Sequence, residues 1–125
     1  MAYKIGQANV VAGTKVTYNT NRITPKNVNL DLANGRMTTT VAGLYFIYFS
    51  AFAEFDATTV AEVLLLINNT NYVRAYTNKP ANLFAGSLVL TAMVNLNVGD
   101  YVEVRLNLGT LHGNENCMFG GYLVK

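Results

Sequence analysis

Seven acids, one histidine, one cysteine and two serines are the groups in this 125-residue chain with chemistry to offer. Nucleophilic catalysis needs a nucleophile, a base and an orienting group brought together. Here that leaves Cys117 with His112, five residues apart across a loop-to-strand junction where such side chains seldom align. Cys117 sits on the apolar side of its segment, where cysteine usually acts as a small hydrophobe. Glu54 and Asp56 share a face if their strand continues, as a carboxylate pair or as calcium ligands. A solvated strand end is the plainer reading. Gly120-Gly121 lacks the lysine and following helix of a phosphate cradle. We therefore expect no enzyme, no assigned metal and no cofactor, with calcium the one ion left open.

Amides and aromatics are more informative than acids. Asn68, Asn69, Asn71, Tyr72 and Arg74 form one cluster at a probable loop tip, and His112, Asn114, Glu115 and Asn116 form another. Amide side chains donate and accept together, and tyrosine adds a flat apolar face with a hydroxyl. Sugars present the same mixture, so both clusters are expected to bind glycans. The bland alternative is that asparagine simply suits turns. Asn68-Asn69-Thr70 also meets the N-glycosylation pattern, relevant only in a secreted eukaryotic chain.

The elements that position these groups read as strands. Runs of Val, Ile, Leu, Thr, Tyr and Phe are punctuated by Asn, Gly and Asp, with almost no helical periodicity. Strands are expected at 3–10, 15–24, 27–32, 36–41, 43–55, 60–67, 72–77, 87–96, 101–108 and 116–124, ten in all. Asn34-Gly35 is a strong hairpin signal, and Asn97-Val98-Gly99-Asp100 reads as a turn. In 101–108, Val102, Val104, Leu106 and Leu108 face one way, opposite Tyr101, Glu103, Arg105 and Asn107. This is the pattern of a half-buried strand.

Two segments break that rule. In 43–55, Leu44, Phe46, Tyr48 and Phe52 oppose Tyr45, Ile47, Phe49, Ala51 and Ala53, so both faces are apolar. The closing strand does the same, with Cys117, Phe119 and Leu123 opposite Met118, Tyr122 and Val124. A two-sheet sandwich buries one face of each sheet, so the second face is expected to meet another copy of the chain.

Composition agrees. Half the chain is hydrophobic and only 13% is charged, the opposite of a disordered chain. A net charge of +2 is too weak and scattered for a nucleic-acid footprint. No apolar run approaches a membrane span, so no membrane insertion is expected. One cysteine excludes an internal disulfide framework. Residues 1–125 are expected to form a single domain. Met1-Ala2-Tyr3-Lys4 lacks the regions of a signal peptide, which suits either a cytoplasmic chain or a mature domain.

Four motifs in order then carry a family resemblance. Gly43-Leu44-Tyr45-Phe46-Ile47-Tyr48-Phe49 resembles the Gly-Val-Tyr-Tyr-Phe strand of complement C1q-like globular heads. Asn34-Gly35-Arg36-Met37-Thr38-Thr39-Thr40-Val41-Ala42 resembles the approach to it, although Met37 and Thr40 replace the usual Phe and Pro. Leu96-Asn97-Val98-Gly99-Asp100-Tyr101-Val102 resembles the family's Gly-Asp turn. Phe119-Gly120-Gly121-Tyr122-Leu123 resembles its closing signature. The resemblance covers the chain from about Lys15 to its end. It implies an all-β, ten-stranded jelly roll of the C1q and tumour necrosis factor type, assembled as a homotrimer. Phe46 and Phe119 would anchor the core, while Tyr45, Ile47, Phe49, Met118 and Tyr122 would lie between subunits. A secreted recognition head for glycans or microbial surface patterns in innate immunity is the implied function. The alternatives are a trimeric ligand for a protein receptor and a structural trimerising cap.

Overall fold

The computed structural model describes residues 2–4, 9–54, 60–78, 85–113 and 117–125, leaving aside the side chains of Tyr3, Glu54 and Ala85. Glu54 and Asp56 as a carboxylate pair, and Asn114, Glu115 and Asn116, therefore lie outside what is described. The strands are β1 (Ala2–Lys4), β2 (Val10–Val11), β3 (Thr20–Asn21), β4 (Val28–Asp31), β5 (Arg36–Thr39) and β6 (Gly43–Glu54). They continue with β7 (Val60–Ile67), β8 (Thr70–Asn78), β9 (Ala85–Leu96), β10 (Tyr101–Leu108), β11 (Thr110–Leu111) and β12 (Cys117–Leu123). No helix among the described residues is long and apolar enough to cross a membrane.

Two antiparallel sheets pack face to face. One has β4-β5-β10-β7-β8 in spatial order, and the other has seven strands centred on β6. β6 pairs with β9 along its full length on one side. On the other side it pairs with β12 and then β11. β1 extends the sheet from β12 and is itself paired with β3.

Twelve strands among the described residues replace the ten expected. The two extra are accounted for by β1 and β2, which stand where the single strand 3–10 was expected, and by β11, between the expected 101–108 and 116–124. Residues 15–24 form no single strand: Lys15 bridges to Arg105, Val16 N–H donates to Val104 O, and β3 then pairs with β1 in the other sheet. Val16 and Tyr18, between those ends, are buried in the core. A strand is a run with one partner, and this segment has a different partner every few residues.

Between the sheets, Tyr45, Ile47 and Phe49 of β6 and Phe119 of β12 meet Val102, Val104 and Leu106 of β10 and Val63 and Leu65 of β7. This inverts the expected faces of β6. Tyr45, Ile47 and Phe49 are fully buried within one subunit and are not interface residues, whereas Phe46 and Tyr48 point outward. Both faces of β6 are apolar, so its composition could not decide which one turns inward. Register decides it: Phe49 is opposite Phe119, and Phe46 is opposite Tyr122. The Tyr45 hydroxyl tolerates burial because it has the Val41 and Asn27 carbonyls to donate to, at 2.6 and 3.2 Å.

Glycines hold the close approaches. A Cβ at Gly121 would lie 2.8 Å from both Ile47 Cδ1 and the Phe46 carbonyl oxygen. Gly35, at φ 66°, closes the β4–β5 hairpin directly against the Val16 carbonyl.

Candidate functional site

The two outer faces of the sandwich have opposite chemistry. On the seven-stranded sheet, Phe46, Tyr48, Met118 and Tyr122 line an apolar groove of about 400 Å3 whose floor is Gly120 and Gly121. The Phe46 and Tyr122 rings lean together with centroids 5.4 Å apart. Val89 and Met93 of β9 continue the same face and are half exposed. Met118 and Tyr122, expected between subunits, lie on this outer face together with Phe46, which was expected in the core.

The five-stranded sheet presents charge. Glu103 is 1% exposed, and its carboxylate accepts from Lys15 Nζ at 3.0 Å and Arg36 Nη2 at 3.5 Å. The Arg36 guanidinium lies 3.9 Å above the centre of the Tyr101 ring, so its planar cation is held from two sides. Glu62 accepts from Asn107 Nδ2 at 2.9 Å and stands 3.9 Å from Arg74. The expected solvated face of β10 is therefore a bonded one, and a bulge after Leu106 leaves Leu108 exposed instead of buried.

The first amide cluster divides. Asn68 and Asn69 are the centre of the β7–β8 turn, at φ 50° and 64°, a backbone that asparagine tolerates. The Asn68 side chain is already engaged. Its Nδ2 donates to Asp100 Oδ1 at 2.9 Å and its Oδ1 accepts from Tyr101 N at 3.0 Å. The Asn68 Nδ2 bond, with one from the Asn97 N–H, holds the Asp100 carboxyl below its usual range. Tyr72, out of phase at a β-bulge, reaches the other sheet, where its hydroxyl donates to Met93 O at 3.4 Å. Asn71 and Arg74 remain on the charged face, with Asn71 accepting from Arg105 Nη2 at 3.5 Å.

His112 is elsewhere. Its ring packs edge-on to Phe52 with centroids 5.1 Å apart, and its backbone N–H donates to the Phe52 carbonyl. Phe52 is near the far end of β6 from the turn that Asn68 braces, so the length of the sandwich separates His112 from Asn68. Cys117 faces the core opposite Lys4, and burial pushes its thiol up to about 12. Burial likewise lowers Lys4, whose Nζ donates to the Thr17 carbonyl at 3.0 Å. Among the described residues no three His, Cys, Asp or Glu are grouped to hold a metal ion.

The sequence reading did not single out Lys15, Arg36, Glu62, Glu103 and Arg105 as a group. They come from four parts of the chain, and only strand register assembles them.

No curated protein sequence matches the chain. Among solved structures, the globular domain of zebrafish complement 1qA superposes with a TM-score of 0.78 at 16% identity, covering 99% of this chain and 94% of that one. Murine APRIL gives 0.66 at 15%, covering 90% and 93%. The Eiger TNF of S. frugiperda gives 0.64 at 15%, covering 78% and 69%. At such identities these likenesses establish the fold alone, a jelly roll shared by complement and tumour necrosis factor proteins. The sequence pattern of the C1q domain matches residues 2–124. With that match over nearly its whole length, the chain belongs to the C1q domain family.

Proposed function

We propose that this domain is a non-enzymatic recognition head that acts outside the cell as a homotrimer and binds glycans or microbial surface patterns. Domains of this family are recognition or ligand modules and generally not enzymes. The observation that carries the reading is the contrast between the two outer faces. Phe46, Tyr48, Met118 and Tyr122 form a contiguous apolar surface of the kind that marks association. A second copy covering it would leave the polar five-stranded sheet and the Asn-rich hairpin facing outward. Asn69, Asn71, Tyr72 and Arg74 are exposed there, His112 belongs to the other end, and Asn114, Glu115 and Asn116 complete the proposed ligand set. Three copies on one rigid body convert weak single-site contacts, on the order of millimolar, into useful avidity.

Light scattering at micromolar concentration tests the assembly, and a stable monomer would remove the reason given for the apolar face. A glycan and microbial-pattern array, run with calcium and with chelator, tests the ligand. A trimer that binds nothing on the array points instead to a protein receptor, as for a tumour necrosis factor-like ligand, or to a structural cap.

A further inference from the structure

We infer that the outer face of β10, β7 and β8 is an acidic-sugar site, in which Arg74 and Arg105 together take an oxyanion carried on a sugar ring. The inference rests on the glycan-binding reading above and gives it a ligand class and a place.

Register lays this face out in rows. Arg74 and Arg105 are the partners of Leu64 on either side, and Lys15 continues the row beyond Arg105. Two strand spacings set the arginine Cα atoms roughly 10 Å apart, a separation over which two long side chains can converge on one group. Three of the chain's four arginines, Arg36, Arg74 and Arg105, are on this single face.

Their partners are unequal. Arg36 and Lys15 are matched by the buried Glu103, and Asp31 at the β4 edge bonds to Asn34. Arg105 has one hydrogen bond, at 3.5 Å to an amide oxygen, and Arg74 has a single carboxylate contact at 3.9 Å. Both are at the limit of useful geometry, and the Arg74 side chain is 66% exposed, so the pair keeps N–H donors to offer a ligand. Among the described residues only Glu62 stands against Arg74 and Arg105, which leaves one positive charge in excess at this spot.

The surroundings suit a sugar better than a bare ion. Leu64 and Leu66 point outward yet are only 4% and 1% exposed, and they form a dry floor under the arginine stems. Tyr76, on the same face of β8 and 62% exposed, offers an aromatic plane for a C–H face. The Asn71 and Asn107 amides flank the arginines and suit ring hydroxyls. Guanidinium forks match carboxylate and sulfate alike.

The test uses the whole chain on immobilised polygalacturonate, its methyl ester, dextran sulfate and neutral dextran, with the double variant Arg74→Gln/Arg105→Gln and a charge-matched control, Lys26→Gln/Lys125→Gln. Thermal melts and light scattering first establish that all forms are folded and equally assembled. We expect polygalacturonate binding that the arginine double variant weakens at least tenfold, that the lysine control leaves unchanged, and that esterification abolishes. An equal loss on dextran sulfate assigns the site to sulfated as well as uronic sugars. Anionic-polymer binding untouched by the double variant overturns the inference, as does equal affinity for duplex DNA. Binding to neutral glycans that ignores the double variant also sinks it while leaving the recognition reading intact. A blank on every glycan sinks both.

Discussion

Replacing Gly35 by alanine should be far costlier than the same change at Gly99, although both glycines have positive φ. Gly35 is at φ 66° and Gly99 at 89°, so each substitution brings a left-handed strain of about 1–2 kcal/mol. There the likeness ends. A Cβ at Gly99 meets nothing within 4 Å, whereas at Gly35 it would land on the Val16 carbonyl and touch Thr17 Cα at 3.4 Å. That stretch cannot simply retreat. Val16 N–H is bonded to Val104 O at 2.8 Å, Tyr18 N–H to Leu32 O at 2.9 Å, and both side chains are in the core. Giving way would weaken two hydrogen bonds at about 1 kcal/mol each and overpack a buried site at about 1–3 kcal/mol. The totals are about 1–2 kcal/mol for Gly99→Ala and roughly 4–7 kcal/mol for Gly35→Ala. For 125 residues the unfolding entropy makes 1 kcal/mol worth about 4 °C in Tm. Calorimetry at one fixed protein concentration should therefore show drops of about 4–8 °C and roughly 16–28 °C. Equal drops would mean that the hairpin does not press on residues 16–17, and the steric account would be wrong.

Tyr122→Asp should dissociate the proposed trimer while leaving the far-UV spectrum intact. Tyr45→Phe should cost about 1–2 kcal/mol for its lost hydroxyl bond and leave assembly unchanged; light scattering that reports the reverse would reinstate Tyr45 as an interface residue. Asn68→Ala should raise the Asp100 pKa toward the ordinary carboxylate value, read by carboxyl NMR titration. A depressed folded pKa adds stability that is present above the unfolded value, about 3.9, and lost as pH falls through the folded one; the variant should lose that contribution, and an unmoved Asp100 titration would show the amide to be irrelevant. Cys117 should resist a disulfide reagent at pH 8 and react at once in denaturant, since its thiol is neutral there and buried. Prompt modification of the folded protein would contradict the packing of β12 against β1.

The turns were legible because each rests on local chemistry. Asn34-Gly35 supplies the positive φ that its hairpin uses, and Gly99-Asp100 closes its turn with the Asp100 carboxylate on the Asn97 N–H at 2.8 Å. Docking of that turn is also visible, with the Thr39 hydroxyl donating to Asn97 O at 2.6 Å. Family motifs placed β6 and β12 correctly in order but said nothing of which face turned inward. The resemblance implies Phe46 as a core anchor and Tyr45 as an interface residue, but no motif decides a face when both faces are apolar. Only the partner across the ladder does, and that partner is some seventy residues away in the chain.

The charged face was illegible for a related reason. Alternation along β10 does put Tyr101, Glu103 and Arg105 together, but a strand alone makes such a face look solvated. What turns it into a site is the neighbour on each side. β7 contributes Leu64 and Leu66, which a single-strand reading assigns to a core because the run 60–67 is almost wholly apolar. β8 contributes Arg74 only because a bulge between its pairings to Leu65 and Leu66 shifts the phase of the strand. Without that extra residue, counting by twos from Asn71 would put Val73 and Ala75 on the charged face and Arg74 and Tyr76 inside. A bulge leaves no signature in composition, so a pattern read along the chain loses register there. The same shift that hid the face from the sequence sets a guanidinium and a tyrosine ring on one surface, beside the Arg105 of another strand.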